Sequence, residues 1–471
     1  MTELAVRTTA IPGLLVVDLP VHGDARGWFK ENWQRAKMTA LGLPDFGPVQ
    51  HNLAYNAERG VARGVHAEPW DKYVSVATGR IFGAWVDLRE GPSYGQVVTL
   101  EVTPDRAVYV PRGVGNAYQT LEPGTVYTYL VNEHWQAEAK DRYAFVSIAD
   151  PALGIDWPIP LEECVLSEAD QAHPPLAHAT PAREGRVLIL GARGQLGRAL
   201  ADRLPVALGT RLENVVPLTR SEADLTDPSW LHRVDLSDVD VIVNAAAYTK
   251  VDAAETPDGR RQAWAANVTG VGQLVEACRE RRIPLVHVSS DYVFDGSIEE
   301  HDEDEPFSPL GVYGQTKAAG DMLVATLERH YIVRTSWVVG DGPNFVATMT
   351  RLADSGACPS VVDDQYGRLT STGVLADAIG HLIATRAPWG TYNCTNGGPV
   401  RSWADIAADV FERRGRDRAD VRRVTAEQYE TQQVAAGKHP APRPRHSTLT
   451  LAKLTASGFQ MPPWNAPHAP G

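Results

Sequence analysis

The chain has 471 residues, of which 43% are hydrophobic and 22% are charged, and its formal net charge is -13 at pH 7. This length predicts two or three domains. The negative charge argues against nucleic acid or an anionic membrane as the main partner. The sequence shows neither a signal peptide nor an apolar run long enough to cross a bilayer. The four cysteines lack metal or disulfide spacing, so we expect a cytoplasmic protein with reduced thiols.

The first part of the chain, from Ile11 to about Pro160, consists of short apolar runs separated by turn signals. This pattern is typical of an all-β antiparallel sandwich or small barrel. Examples of the predicted strands are Tyr73–Ala77, Phe82–Leu88, Val97–Val102 and Ala107–Val110. From residue 167 to residue 184 the composition shifts to Ala, Pro, His and charged residues. We therefore predict a semi-rigid linker over 167–184.

Several polar segments punctuate this β region. Each has an ordinary structural explanation when taken alone, since an Arg-Gly pair usually marks a turn and a strand histidine is usually a rim or core residue. In this order, however, they resemble the dTDP-4-dehydrorhamnose 3,5-epimerase family over nearly all of residues 1–166. The segments are Asp24–Glu31, Gln50-His51-Asn52, Arg63-Gly64-Val65-His66, Lys72, Pro111–Tyr118, Tyr129 and Asp150-Pro151.

The resemblance implies a cupin-type jelly roll that holds no metal and forms a homodimer, acting on a dTDP-4-keto-6-deoxyhexose. It implies a His66–Asp150 base, Lys72 near the developing enolate and Tyr129 as the acid. Residues at positions where the family holds its nucleotide sugar are Arg26, Glu31, Gln50, Asn52, Arg63, Asn116 and Trp135.

These residue types suit proton removal beside a ketone. A lysine cation stabilises the enolate oxygen, and a neutral histidine is a suitable base near pH 7 when a carboxylate fixes its tautomer. Three features depart from the family pattern: Asn116 replaces a histidine, Trp135 replaces a tyrosine, and Ala67-Glu68-Pro69-Trp70 replaces the usual aromatic-Gln pair. They leave open whether one or two centres are inverted, and which sugar is bound.

The second part of the chain opens on the apolar run Val187–Leu190, followed by Gly191, Gly194 and Gly197 and then a helical pattern. A strand, a glycine turn and a helix start in this order form a dinucleotide-binding signature. Further strands are predicted at Asn214–Leu218, Val239–Asn244, Leu285–Ser289 and Tyr331–Thr335, with helices at Val268–Arg281 and Ala318–Arg329. The alternation predicts a Rossmann-type, doubly wound parallel sheet over residues 185–471.

Ser290 follows an apolar strand, and Tyr313 lies four residues before Lys317, on the same predicted helical face. With the glycine turn, these features resemble the extended short-chain dehydrogenase/reductases, and most closely the dTDP-4-dehydrorhamnose reductases, from Arg186 to about residue 464. The match includes Arg334–Trp337, Asp363–Gly367 and Pro442–Arg445.

The resemblance implies that Tyr313 donates a proton to the sugar ketone, that Ser290 orients the ketone, and that Lys317 holds the nicotinamide ribose. We expect the Lys317 cation to lower the pKa of Tyr313. Implied cofactor contacts are Gly191, Arg193, Gly194, Gln195, Leu196, Gly197, Arg220, Asp224, Leu225, Ala245, Ala246, Tyr248, Tyr313 and Lys317; implied substrate contacts are Asp291, Val293, Trp337 and Gln365, the last two within a small subdomain.

The residues after the second strand, Leu218-Thr219-Arg220, lack the acidic group that would bind a ribose 2′-hydroxyl. Arg193 and Arg220 suit a 2′-phosphate, which favours NADPH, with NADH as the alternative. The leading interpretation is an enzyme that epimerises dTDP-4-keto-6-deoxyglucose and reduces the product to dTDP-L-rhamnose. Two others stay open: a reductase with a mono-epimerising or non-catalytic β domain, and a nucleotide-binding regulator that lost its chemistry.

Overall fold

The computed structural model describes residues 3–44, 46–135, 140, 142–182, 185–208, 212–236 and 239–465. The chain divides into two compact units, with the boundary between residues 184 and 185. The first unit is built almost entirely of strands and the second alternates strands with helices.

The first unit contains thirteen of the described strands and two of the described helices. The strands are β1 (Ala5–Thr8), β2 (Leu15–Asp18), β3 (His22–Asp24), β4 (Gly27–Phe29), β5 (Gln50–Asn56), β6 (Ala62–Ala67), β7 (Lys72–Thr78), β8 (Ile81–Asp87), β9 (Val97–Val102), β10 (Arg106–Val110), β11 (Val114–Thr120), β12 (Thr125–Val131) and β13 (Ala144–Phe145); the helices are α1 (Arg35–Ala40) and α2 (Glu168–Gln171).

Two large antiparallel sheets form this unit, in the orders β1-β2-β10-β7-β12-β5 and β13-β6-β11-β8-β9, and β3 and β4 form a separate two-stranded sheet. Alternate residues of a strand face opposite sides of its sheet, and apolar side chains from both sheets, such as Val74, Trp85 and Val108, share one buried cluster. The predicted all-β jelly roll is confirmed.

The predicted linker is largely wrong. Residues 167–182 pack against the first unit: Leu176 N donates to Asp150 Oδ2 (2.6 Å), Tyr94 Oη donates to Leu176 O (3.1 Å), and Ala182 is buried. Prolines stiffen the segment without separating it from the sheet, because its few apolar side chains find a place in the core beside Ala62. The segment therefore belongs to the first unit.

The second unit contains the remaining elements. The strands are β14 (Arg186–Leu190), β15 (Val215–Leu218), β16 (Val239–Asn244), β17 (Leu285–Ser290), β18 (His330–Thr335), β19 (Val338–Val339), β20 (Ser360–Val362), β21 (Tyr366–Gly367), β22 (Thr370–Ser371), β23 (Gly390–Asn393), β24 (Arg401–Ser402) and β25 (Arg422–Val424). The helices are α3 (Gln195–Leu208), α4 (Trp230–Arg233), α5 (Val251–Ala254), α6 (Pro257–Trp264), α7 (Gly270–Arg281), α8 (Val312–Val324), α9 (Phe345–Asp354), α10 (Thr372–Thr385), α11 (Trp403–Arg413), α12 (Ala426–Ala435) and α13 (Ala452–Ala456).

Six strands form a parallel sheet in the order β15-β14-β16-β17-β18-β23. Both faces are covered: Ile189 of β14 belongs to the core cluster under α3 and α10, whereas its neighbour Leu188 belongs to the cluster under α7. The predicted Rossmann-type fold is confirmed. The carboxyl ends of these strands share one edge, where ligands of such sheets bind.

Short strand pairs β19–β22, β20–β25 and β21–β24 and helices α9 and α11 make a smaller part of this unit, with its own apolar cluster around Phe411. Among the residues that the structure describes, no helix combines the length and apolar character that a membrane span needs.

Replacing Leu176 with alanine tests the packing of the former linker. We expect the free energy of unfolding to fall by about 1–2 kcal/mol, because a partly buried leucine loses apolar contacts. The measurement is denaturant unfolding of the full chain, with Leu53→Ala as control, since Leu53 is 64% exposed. Equal stability of the two variants would contradict packing of the segment.

Candidate active sites

The first site centres on His66, in β6. Its Nε2 lies 2.7 Å from Asp170 Oδ1, and the carboxylate is buried while the imidazole is one-third exposed. Asp170 belongs to α2, whose N-cap Ser167 accepts a hydrogen bond from Asp170 N. When the Nε2–H group donates a hydrogen bond to Asp170, Nδ1 is left as the basic nitrogen of the partly exposed imidazole. The pair has the form of a general base with its orienting carboxylate.

Asp150 is not the partner of His66 in the structure. Its Oδ1 accepts from Ala152 N (2.9 Å) and its Oδ2 accepts from Leu176 N (2.6 Å), so its carboxylate caps a short helical turn and anchors the following segment. Sequence reasoning missed Asp170 because it lies 104 residues from His66, inside the stretch assigned to a linker.

Burial favours the neutral form of Asp170, yet the hydrogen bond and charge of His66 outweigh it and lower the pKa of this carboxyl group. His173 lies beside the pair, with ring centroids 5.2 Å from His66 and 4.8 Å from Phe145. Burial lowers the pKa of His173. His66, Asp170 and His173 present ligand-type atoms within 4.8 Å of one another and could hold a metal ion; in the structure His66 Nε2 and Asp170 Oδ1 contact each other.

Lys72 is the buried cation of this site. It begins β7 and is only 6% exposed. Burial lowers its pKa to about 7; the Glu68 carboxylate, which forms an ion pair with its Nζ, opposes this shift because it stabilises the ammonium. The Lys72 Nζ also lies 5.4 Å from the ring centroid of Tyr129, whose pKa is raised by burial. Lys72 and Tyr129 therefore lie on the neighbouring strands β7 and β12 of one sheet, and His66 lies on β6 of the other sheet.

Asn116 faces His66 across the β11–β6 ladder. Its Oδ1 accepts a hydrogen bond from Tyr127 Oη (3.2 Å), and Tyr127 stacks on Tyr118 with centroids 4.3 Å apart. Burial raises the pKa of Tyr127 well above its ordinary value. Asn116 is uncharged, and its hydrogen bond holds Tyr127, which stacks on Tyr118, near His66.

The other expected sugar-nucleotide residues lie in three places. Gln50 Nε2 donates to Asn52 Oδ1 (2.9 Å) on β5, and Gln50 Oε1 accepts from Trp135 N (3.1 Å). Arg63 is exposed on β6 and hydrogen-bonds to Tyr118. Arg26 and Glu31 are exposed and pair locally, with Asp24 and Lys37 respectively.

The second site begins at the glycine turn after β14. Gly191 has φ 81°, and a Cβ there would lie 2.8 Å from Ala246 N. A Cβ on Gly197 would lie 2.3 Å from Gly191 O. A side chain at either position would thus break the close approach of α3 to the ends of β14 and β16. The free N–H groups of the first helical turn suit a pyrophosphate, so the turn fits a dinucleotide.

The region after β15 fits a ribose phosphate. Glu222 accepts hydrogen bonds from Thr219 N (2.8 Å) and Thr219 Oγ (2.6 Å), so its carboxylate is already engaged. Arg220 is exposed and donates to Asp224 Oδ2 (2.9 Å). Arg193 is also exposed. Two implied cofactor residues instead have core side chains: Leu225 is 5% exposed, and Leu196 packs against the cluster under α3.

The proposed proton donor, Tyr313, lies near the start of α8. It hydrogen-bonds to Ser290, whose Oγ donates to Asp291 Oδ1 (2.9 Å) and accepts from Tyr292 N (3.2 Å). The expectation that Lys317 lowers the pKa of Tyr313 is wrong in the structure, because burial raises this pKa instead. A raised pKa keeps the phenol protonated, as a proton donor requires.

Lys317 lies one turn further along α8 and is 2% exposed. Its Nζ donates to Val288 O (2.8 Å) and lies 3.1 Å from His287 Nε2. Burial lowers the pKa of Lys317 to about 8, against the charge of Asp321. Sequence reasoning missed His287, which reads as an ordinary strand residue.

Tyr248 is held near Tyr313 by Asn267, whose Oδ1 accepts from Tyr248 N (2.8 Å). Of the implied substrate residues, Asp291 is buried beside Ser290, and burial raises its pKa to about 6. The Val293 side chain belongs to a core cluster with Phe294.

The last two implied substrate residues lie in the smaller part of the unit. Trp337, with φ 46°, stacks on Trp403 at a centroid distance of 3.7 Å. Gln365 is 8% exposed.

Comparisons with known proteins divide the chain in the same way. A family model described as dTDP-4-dehydrorhamnose 3,5-epimerase matches residues 8–178, and one described as RmlD substrate binding domain matches residues 185–468. A protein RmlC homolog of Streptococcus pyogenes is 49% identical over 176 residues, covering 36% of this chain and 88% of that protein.

The second unit is similar to reductases. A dTDP-4-dehydrorhamnose reductase of Mycolicibacterium smegmatis is 37% identical over 280 residues, covering 58% of this chain and 80% of that protein. The crystal structure of a dTDP-4-dehydrorhamnose reductase of Bacillus anthracis in complex with NADP has a TM-score of 0.53 at 35% identity, covering 60% of this chain and 96% of that one.

Proposed function

Since the chain belongs to the dTDP-4-dehydrorhamnose reductase family and joins to that domain an N-terminal dTDP-4-dehydrorhamnose 3,5-epimerase domain, we propose that it catalyses both reactions. The first unit epimerises dTDP-4-keto-6-deoxyglucose at C3 and C5. The second reduces the 4-ketone of the product with NADPH, giving dTDP-L-rhamnose.

The observation that supports this proposal is that each unit combines a buried lysine with side chains suited to proton transfer. His66 with Asp170 and the buried Lys72 form one set, and Ser290 with Tyr313 and Lys317 forms the other. A regulator that had lost its chemistry would have no need to bury two lysines, each at a cost of several kcal/mol in desolvation.

In the epimerase, His66 removes a proton from the carbon next to the ketone while Asp170 stabilises the imidazolium that forms. The Lys72 ammonium stabilises negative charge on the ketone oxygen, in a dry site where this interaction is strong. Tyr129, whose raised pKa keeps it protonated, returns a proton to the opposite face of the ring. That return inverts the centre.

In the reductase, the glycine turn at Gly191 and Gly197 would hold NADPH, and Arg193 and Arg220 would contact its 2′-phosphate. The bound cofactor would supply hydride. Ser290 positions the ketone, and Tyr313 donates its hydroxyl proton to the ketone oxygen. Lys317, one turn along α8, then restores the proton to Tyr313. The charge of Asp291 and the smaller part of the second unit, around Trp337, would orient the sugar nucleotide.

The direct test is incubation of the full chain with dTDP-4-keto-6-deoxyglucose and NADPH, followed by NMR of the product. We expect dTDP-L-rhamnose. Reduction without inversion would support the alternative, in which the β unit serves another purpose, as the replacement at Asn116 first suggested. Absence of any NADPH oxidation would refute the proposed reductase.

The assignment of the base predicts a difference between two carboxylates. Without cofactor, Asp170→Asn is expected to slow solvent-deuterium incorporation into the 4-keto sugar by about 10²-fold, since the imidazolium loses its charged partner. Asp150→Asn is expected to change the rate less than about twofold, because Asp150 has a capping role. The reverse ranking would restore Asp150 as the orienting residue.

The proposed acid of the reductase is tested by Tyr313→Phe. We expect hydride transfer to slow by about 10²–10⁴-fold, because the ketone oxygen loses its proton donor, while deuterium incorporation by the first unit stays at the parental rate. Stopped-flow recording of NADPH absorbance measures the former and NMR the latter. Reduction at the parental rate would exclude Tyr313 as the acid.

A further inference from the structure

The orientation of one buried amide determines which hydrogen bonds reach Lys317. Asn244 ends β16 and is fully buried. Its Oδ1 accepts from Ala246 N (3.1 Å), which fixes the amide, because a backbone N–H can only donate. Its Nδ2 therefore points to His287 Nδ1, 3.0 Å away. This nitrogen must accept.

A neutral imidazole that accepts at Nδ1 carries its proton on Nε2. The Nε2–H of His287 then points to the Nζ of Lys317, 3.1 Å away. An ammonium has no lone pair and would meet this N–H donor with a donor of its own. An uncharged amine can accept from Nε2–H and still donate to Val288 O. Only the amine satisfies every partner.

We propose that Asn244 and His287 bias Lys317 towards its uncharged amine form, so that His287 is the positioning residue that sets when this lysine carries a proton. The inference rests on the proposed function only where it assigns Lys317 to turnover. A proton donor works best when its pKa lies near the operating pH, and a neighbour that disfavours the ammonium eases release of its proton to Tyr313.

The charged groups around Lys317 do not remove this conflict. Asp321, one turn along α8, favours the ammonium, but its Oδ2 accepts from Arg334 Nε (3.1 Å), a cation that offsets its charge. The charge of Asp291 adds to burial in raising the pKa of Tyr313, which lies one helical turn before Lys317. Burial disfavours the charge of both Lys317 and His287.

The first test needs no substitution. Nitrogen-15 NMR of the full chain labelled at histidine distinguishes the two tautomers, and the His287 signal is assigned by its loss in His287→Leu. We expect the proton on Nε2. A proton on Nδ1 would overturn the inference, because Nε2 could then accept from an ammonium.

The second test follows Lys317 by carbon-13 labelling at lysine Cε, with Lys317→Arg for assignment. Asn244→Ala frees the imidazole without adding charge, so we expect the pKa of Lys317 to rise by about one unit, the size of a single hydrogen bond's net contribution. Asn244→Asp should move the histidine proton to Nδ1. The matched control is Asn393→Ala, a buried asparagine that ends β23. An unchanged Lys317 pKa in Asn244→Ala would overturn the inference.

Activity gives an independent readout. Reduction needs the charged lysine, so the rate is lost as the pH rises through the pKa of Lys317. The high-pH limb of kcat/KM should therefore move to higher pH by about one unit in Asn244→Ala, which a merely structural defect would not do.

If the chain reduces no dTDP-sugar, the proposed function fails, while the tautomer and the lysine titration still decide this inference. If the Asn244 variants do not fold, the tautomer in the parent chain decides it.

Discussion

Each unit buries a lysine at its proposed active site, and the burial of these two cations is a costly constraint on the structure. Lys72 is 6% exposed and Lys317 is 2% exposed. Removing an ammonium from water costs several kcal/mol unless charges or hydrogen bonds compensate. The cost is visible in the pKa values, lowered by burial to about 7 and about 8. Each fold must therefore supply partners for its lysine within the same small volume.

Sequence reasoning identified what depends on local spacing. The glycine turn around Gly191 and the Tyr313–Lys317 pair are readable because a helix and a strand end impose fixed intervals. Continuous apolar runs placed five of the six strands of the parallel sheet to within a residue, since a strand covered on both faces is apolar throughout, whereas the edge strand β23 was not predicted. The order of polar segments in the first unit, rather than any single residue, indicated the epimerase domain.

What the sequence could not predict depends on long-range packing. Asp170 reaches His66 across 104 residues of chain, and no periodicity links the two. The proline-rich segment was assigned to a linker because composition reports stiffness but not contacts. The direction of the Tyr313 pKa shift was missed for a related reason: the proximity of Lys317 is visible in the sequence, whereas the burial that outweighs it is a property of the folded unit.

The two lysines differ in the kind of partner that faces them, and the difference matches the work proposed for each. Glu68 places a carboxylate against Lys72 and so favours a standing positive charge, which is what an enolate oxygen needs throughout proton exchange. His287 presents an N–H to Lys317 and so favours the amine, which suits a group that must repeatedly take up and release a proton. Burial makes each lysine sensitive to a single neighbour. A hydrogen-bond acceptor such as a carboxylate favours the ammonium and hence a fixed charge, whereas a hydrogen-bond donor favours the amine and hence a proton carrier.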